Sequence, residues 1–318
     1  MNRLKKVLVP IVCLLCFQSV NARWIKQESG TLAWLHSVYF VDQHTGWVVG
    51  SGGTFLLTSD GGKIWRQGKK FTTDNIRDVY FTDDKNGWLL CEADIFKSGD
   101  GSPSYLLQTS NGGATWQSIQ FKEGRDRIAR IFFSNDGRGF GVGEGGAIWM
   151  MQDHRSNWKR SVLPVRYLML DGYFADDLHG TLVGGGGTVL FTEDGGISWS
   201  NATLAGDIKT KFSSVFYADP RTGWAAGGTG SIYFTENGGK QWREQISGVT
   251  EHLSDVFFIN ANEGYVAGDN GTILSTTTAG NIWKREKTGV KHKLERIFFA
   301  GKRGFAVGFG GTILVMDN

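Results

Sequence analysis

Cysteine and proline are both scarce in this chain of 318 residues, which holds 3 Cys and 4 Pro. Cys13 and Cys16 fall within the first 22 residues, which read as a leader removed on export, so Cys91 is left alone. One thiol cannot close an internal disulfide, and an exported fold of this kind must rest on packing. With 4 Pro against 46 Gly, the glycines mark repeated tight turns rather than disorder. A charge excess is missing as well. Arg3, Lys5 and Lys6 of the leader are three of the 34 basic residues, and the leader has none of the 31 acidic ones. The mature chain therefore carries 31 of each and has no global basic field for nucleic acid. Long apolar runs are also lacking. The run of 11 residues from Val7 to Phe17 is too short for a stable membrane span.

That run, its basic flank and the small-residue site Val20-Asn21-Ala22 define a secretory signal over residues 1–22. A lipoprotein signal at Cys16 is the weaker alternative, because Leu15 stands where a small residue normally precedes a lipidated Cys. The reading predicts a periplasmic or secreted protein whose mature domain is residues 23–318.

What the chain has in abundance is aromatic side chains, with 12 Trp and 21 Phe, and they recur at a fixed period. Trp24, Trp65, Trp116, Trp158, Trp199, Trp242 and Trp283 are about 42 residues apart. A second comb is Gly46, Gly87, Gly139, Gly180, Gly223, Gly264 and Gly304. Each unit reads as four short strands: "LHSVYFVD" (A), "GWVVG" (B), "TFLLTS" (C) and "IWRQ" (D) in the first. Gly-rich turns such as "GSGGT" join B to C. Seven such units make an all-β, seven-bladed propeller of four-stranded antiparallel blades. The last unit stops at Asn318 before any strand D, whereas "RWIKQ" (23–27) resembles a D strand. The N-terminal strand is therefore expected to close the last blade and leave no free edge.

"TSDGGKIW" (58–65) has the spacing of the Asp-box found in sialidases and other propellers. Near-copies are "TSNGGATW", "TEDGGISW", "TENGGKQW" and "TTTAGNIW", and blade 3 has the degenerate "MQDHRSNW" (151–158). Asp60, Asn111, Asp194 and Asn237 are expected to accept hydrogen bonds from amides of the C–D turn, with the Trp packed between blades. A catalytic site is singular, but this motif recurs around the ring, which favours a structural role. "GVGEGG" (141–146) precedes a strand rather than a helix and is not a dinucleotide loop. "SGDGS" (98–102) lacks the spacing of a calcium loop, and the six His show no paired metal spacing. "NAT" (201–203) is a glycosylation sequon of relevance only in a eukaryotic secretory pathway. No cofactor or metal is expected.

Function is more visible where the repeat breaks. Blade 2 carries an insertion, "CEADIFKSGDGSPSY" (91–105), on the face of the B–C and D–A loops, where a partner contact is plausible on grounds of position. Strand A also carries one polar column: Ser37, Asp78, Arg130, Asp171, Ser214, Asp255 and Arg296. Strand A lines the central channel, so these residues either lace neighbouring blades together or form a channel-mouth site using Arg130 and Arg296. Basic residues gather near the D–A loops: Arg125, Arg127, Arg160, Arg166, Lys209, Lys211, Lys291 and Lys293. With Arg130 and Arg138 they make the blade 3–4 region Arg-rich, suited to the carboxylates of a partner.

The units at 35–67 and 253–286 resemble repeats of the photosystem II assembly and stability factor family, and the similarity spans essentially the whole mature chain. That resemblance implies a seven-bladed, Asp-box-related propeller. It also implies a non-enzymatic chaperone, lumenal in photosynthetic organisms, that binds a reaction-centre protein during assembly through an Arg-rich face. The expectation is an exported, monomeric, non-catalytic binding propeller with a protein client, such as a membrane-protein assembly intermediate. A glycoside hydrolase of sialidase or xyloglucanase type and a carbohydrate-binding propeller stand as alternatives. Against the first, the early Arg-Ile-Pro motif of sialidases is missing: the only prolines are Pro10, Pro103, Pro164 and Pro220.

Overall fold

A computed structural model describes residues 23–93, 102–121, 123–151, 157–206 and 210–317. The leader (1–22), the tip of the blade 2 insertion (94–101), most of the degenerate box (152–156) and Lys209 lie outside the described residues. Seven antiparallel sheets stand around one axis. Blade 1 is typical, with strands Leu35–Phe40, Gly46–Gly50, Thr54–Thr58 and Arg66–Gln67 in sequence order from the axis outward. Both faces of each inner strand meet a neighbouring blade. This is why strands A and B read as nearly continuous apolar runs and B is wholly buried in every blade except for Glu92 and Arg303 at strand ends.

The ring closes as the sequence predicts. Ile25–Gln27 pairs antiparallel with Thr312–Met316, Ile25 opposite Val315 and Gln27 opposite Ile313, in the sheet that also holds Leu294–Ala300 and Arg303–Gly308. Blade 5 departs from the four-strand rule. Thr203–Leu204, in the connection leaving blade 4, adds a short parallel strand along Gln241–Gln245.

The B–C turns fold as one tight 3-10 turn in six blades, at residues 51–53, 144–146, 185–187, 228–230, 269–271 and 309–311. The third residue must be glycine. At Gly146 (φ +70) a Cβ would lie 1.8 Å from the carbonyl oxygen of Val165, and at Gly311 it would lie 1.8 Å from that of Thr31. The turn thereby presses directly on the D–A loop that leads into the next blade. Blade 2 shows no such turn among the described residues. Its B and C strands run on as Gly87–Glu92 and Ser104–Thr109 toward the insertion.

Candidate functional site

Strand A carries the geometry that matters. In all seven blades the A–B ladder shifts register just before the polar column, between Leu35 and Ser37 in blade 1 and at the equivalent places elsewhere. Such a bulge turns one extra residue out of the ladder and re-aims its side chain. The extra residues are His36, Arg77, Ala129, Leu170, Ser213, Ser254 and Glu295, and all seven line a cavity of about 280 Å³ on the D–A loop face of the channel. Sequence reasoning missed this column. Its signal was one position upstream of the polar column, hidden by mixed chemistry.

The bowl is basic. Arg127, the residue before strand Ile128–Phe133, forms a 2.8 Å ion pair with Glu92 and keeps 41% of its side chain exposed. Arg77 pairs with the same carboxylate. Glu92 ends the strand that leads to the blade 2 insertion, so the base of the insertion holds two rim arginines in place. Lys293 pairs with Glu295 at 3.1 Å and lies over the Trp34 ring, 5.7 Å from its centre. Lys211 and Arg130 complete the lining cations. Two imidazoles, buried His36 and half-buried His252, border these cations. Burial, reinforced by Arg77 and Lys293, pushes His36 down to about 3; burial and then Lys211 push His252 down to about 4. Both are held neutral and bond to Ser51 and Ser213, respectively, across 2.9 and 3.1 Å. Apolar groups flank the bowl on two sides: Trp34 packed on His36 and Phe309, and exposed Tyr167 with Leu168.

Of the arginines singled out in the sequence, Arg127 and Arg130 reach the bowl. Arg125 is exposed on the same D–A loop, and Arg160 braces that loop through Asp126 at 2.6 Å. Arg166 is exposed on the next D–A loop. Arg138 lies at the opposite end of strand A. It pairs with Asp136 at 2.8 Å and donates to the carbonyls of Asp177 and Gly195, tying blade 3 to the Asp-box turn of blade 4. Arg296 opens on the cavity of that opposite face.

Below the bowl the polar column laces the blades. Asp78, Asp171 and Asp255 accept from the amides of Ile131, Val215 and Ile297, each in strand A of the next blade. Ser37 donates to Asp78 at 2.8 Å and Ser214 to Asp255 at 2.7 Å. Arg130 binds Asp171 at 2.8 Å, while Arg296 spans Asp78 and Asp255 at 3.4 Å each. These bonds join strand A of one blade to the next, so the column fastens the inner ring.

The box residues are engaged within their own turns. Asp60 accepts from Thr58 and from the amides of Lys63 and Ile64. Asn111 and Asn237 repeat the pattern with Thr109 and Thr235, and Asp194 repeats it with Thr192 and Ser198. The hydroxyl and amide of Ser198 hold Asp194 down to about 2. Each carboxylate sits on a separate blade, and they do not converge. Among the described residues no group of three His, Cys, Asp or Glu could hold a metal ion. The Trp ring of each box meets the neighbouring blade or its own strand A: Trp65 meets Phe40 and Phe305, Trp158 meets Phe121, and Trp242 meets Tyr217. Trp116 meets Phe55, Trp199 meets Phe174, Trp283 meets Phe258, and Trp24 meets Tyr265 and Phe299.

The sequence profile of "Photosynthesis system II assembly factor YCF48" matches residues 17–124, 150–247 and 209–275. The chain belongs to that family. Among solved structures it is similar to "YCF48 bound to D1 peptide", with a TM-score of 0.75 and 22% identity over 93% of this chain and 95% of that one. It is also similar to "YCF48 from Cyanidioschyzon merolae", with a TM-score of 0.74 and 20% identity over 93% and 99%. No curated protein sequence matches. At these identities the two YCF48 structures establish the shared seven-bladed fold. No helix among the described residues is long and apolar enough to cross a membrane.

Proposed function

We propose that the chain is an exported, non-catalytic propeller that acts as an assembly or stability factor by binding an acidic segment of a protein client in the basic bowl. The observation that carries this reading is the charge of the bowl. Arg77, Arg127, Lys211 and Lys293 stand against Glu92 and Glu295 in a protein whose mature chain is otherwise balanced. Arg side chains already ordered by Glu92 offer planar donors to a carboxylate, and Trp34, Phe309 and Tyr167 offer rings to apolar neighbours of that carboxylate. A YCF48 of the same fold has been solved with a D1 peptide, which supports a peptide segment as the ligand class. A membrane-protein assembly intermediate fits a lumenal or periplasmic chaperone, with residues 1–22 as the export signal. The propeller works as a monomer in this reading.

The test is a fluorescence-anisotropy titration of the mature chain with short peptides combining Asp or Glu with aromatic residues, beside Lys-substituted counterparts. The acidic peptides should bind at least about tenfold more tightly, with affinity falling as salt rises. A triple Arg77→Glu, Arg127→Glu, Lys293→Glu variant should lose that preference. Equal binding of both peptide sets, or unchanged binding by the triple variant, removes the reading.

A further inference from the structure

In blades 1 to 6 strand C runs on into strand D through the box segment, and the described box turns also pack sideways. Their second glycine presses on the preceding blade: Gly62 on Phe305, Gly113 on Phe55, Gly196 on Phe140 and Gly239 on Thr181. A Cβ at these glycines would lie 2.4–3.2 Å from those side chains. In blade 6 the Ala279 carbonyl of the turn accepts from Trp224 at 3.1 Å and Gln245 at 2.9 Å, both in blade 5. A box turn therefore fills the wedge between its own blade and the one before it.

Blade 7 is built differently. Its strand C is Thr312–Met316 and its strand D is Ile25–Gln27, so no hairpin turn joins them. Met316 stands where blades 1 and 6 have the box threonines Thr58 and Thr276. Arg23 stands directly before Trp24, in the last position of a box. Between these two residues and blade 6 lies a cavity of about 790 Å³. Its blade 6 wall is formed by Tyr265, Ser275 and Lys284, which are neighbours across three strands. Ser275 deepens the cavity, because the same place holds Leu57, Gln108, Met150, Phe191, Phe234 and Val315 in the other blades.

The polar groups around the cavity are left over from the same break. Trp199 and Trp242 donate to the carbonyls of Gly196 and Gly239 in their own box turns. Trp65 and Trp283 donate instead to Gln27 and Gln245 of the preceding blade. Glu286 occupies the equivalent place for Trp24, but it accepts from the Ser275 hydroxyl at 2.5 Å. The Trp24 indole nitrogen, like those of Trp116 and Trp158, has no acceptor, although the side chain is 2% exposed. The charges are also unbalanced. Glu286 is the one acidic lining residue, and Arg285 is paired with Glu251. Arg23, Lys284 and Lys287 are exposed and form no ion pair among the described residues.

We propose that this cavity is a docking site for an acidic, glycine-containing turn of a partner protein, which completes the seventh box in trans. The walls are the strand surfaces against which the chain packs its own turns, so a tight turn is the shape that fits. The three unpaired cations select acidic side chains on it. A glycine carbonyl of such a turn is the acceptor that Trp199 and Trp242 have and Trp24 lacks. The site lies at the outer edge of the face opposite the basic bowl and shares no residue with it.

Capped peptides of two of the chain's own boxes serve as probes. TEDGGISW (192–199) carries two acidic residues and no basic one, whereas in TSDGGKIW (58–65) a lysine offsets the aspartate. Each is titrated into the mature chain and followed by the NMR signal of the Trp24 indole N–H, assigned with Trp24→Phe. The acidic peptide should bind about threefold or more tightly than the neutral one, and the difference should shrink as salt rises. Ser275→Phe, which installs the side chain found in blades 4 and 5, should fill the cavity and abolish binding of both. If that variant does not fold, Lys284→Glu with Lys287→Glu should erase the preference for the acidic peptide. Replacing Arg77, Arg127 and Lys293 of the bowl by Glu should leave this binding unchanged, so the two sites fail separately. No shift at millimolar peptide, equal binding of the two peptides, or binding undiminished by these cavity variants would overturn the proposal. So would tighter binding of trigalacturonate than of the acidic peptide, which would make the site one for acidic glycans.

Discussion

At the scale of single residues, the same side-chain types acquire different work from their place on strand A. Arg138, Arg130 and Arg127 lie within eleven positions of sequence, yet one ties a turn on one face, one pairs within the channel and one stands at the rim of the opposite face. The aspartates divide likewise. Asp194 accepts bonds from its own turn and is depressed, while Asp255 is buried among like charges and raised. For Asp255 the sign is adverse to stability at high pH. The folded protein holds a proton that the unfolded chain releases, so its contribution is greatest below about pH 4, falls as pH rises to about 7, and is constant above. Asp255→Asn removes this slope. Urea midpoints between about pH 5 and pH 8 should therefore fall for the unaltered protein relative to the variant, by an amount on the order of 2 kcal/mol. Parallel pH profiles would place the ionised carboxylate comfortably in the fold and refute the argument.

At the scale of elements, the repeat was legible and its local irregularities were not. The Trp and Gly combs disclose blade number, strand order and closure because periodic apolar strands and glycine turns have few other readings. A β-bulge leaves no compositional mark, so the residues it turns into the bowl, Arg77 and Glu295 among them, are invisible until the register is known. The pairing of Arg77 and Arg127 through Glu92 is similarly non-local, since the carboxylate comes from the one hairpin that breaks the repeat. The Phe132 ring of blade 3 packs against Gly172 of blade 4, 40 positions away, where a Cβ would lie 2.4 Å from it. Comparing equivalent elements also exposes a defect. The second residue of the B–C turn has positive φ in six blades and is Gly52, Gly145, Gly186 or Gly310 in four of them. In blade 5 it is Thr229 at φ 53, a β-branched residue in the left-handed region, with its side chain exposed. Thr229→Gly should relieve that strain at little loss of packing and raise stability by about 1 kcal/mol, read as a higher urea midpoint at unchanged slope. A lower midpoint would mean that the hydroxyl contact from Thr229 to the Gly228 carbonyl outweighs the backbone strain.

At the scale of the whole molecule, a propeller has no central core; its stability lies in seven similar interfaces, and one of its blades is itself held together by the pairing of an N-terminal strand with a C-terminal one. The closing strand contributes a ladder of only three residues, Ile25–Gln27, so its hold depends on side chains. Trp24 is 2% exposed and set edge-on against Tyr265 of blade 6 and Phe299 of blade 7. Gln27 accepts from the indole of Trp65 in blade 1 at 3.3 Å. One short segment thus contacts three blades. Trp24→Ala removes its main anchor and should cost about 3–5 kcal/mol. Release of the segment also bares the edge of Thr312–Met316, a strand buried along its whole length and apolar except for Thr312. Trp199→Ala is the matched control. Trp199 occupies the equivalent place in blade 4 but is only partly buried, and its strand is covalently continuous with its blade. It should lose less stability and remain monomeric. Urea unfolding together with size-exclusion chromatography separates the two outcomes: Trp24→Ala should show the larger loss and a population of oligomers joined through the bared edge. Equal losses with both variants monomeric would mean that closure adds nothing beyond one more packed tryptophan.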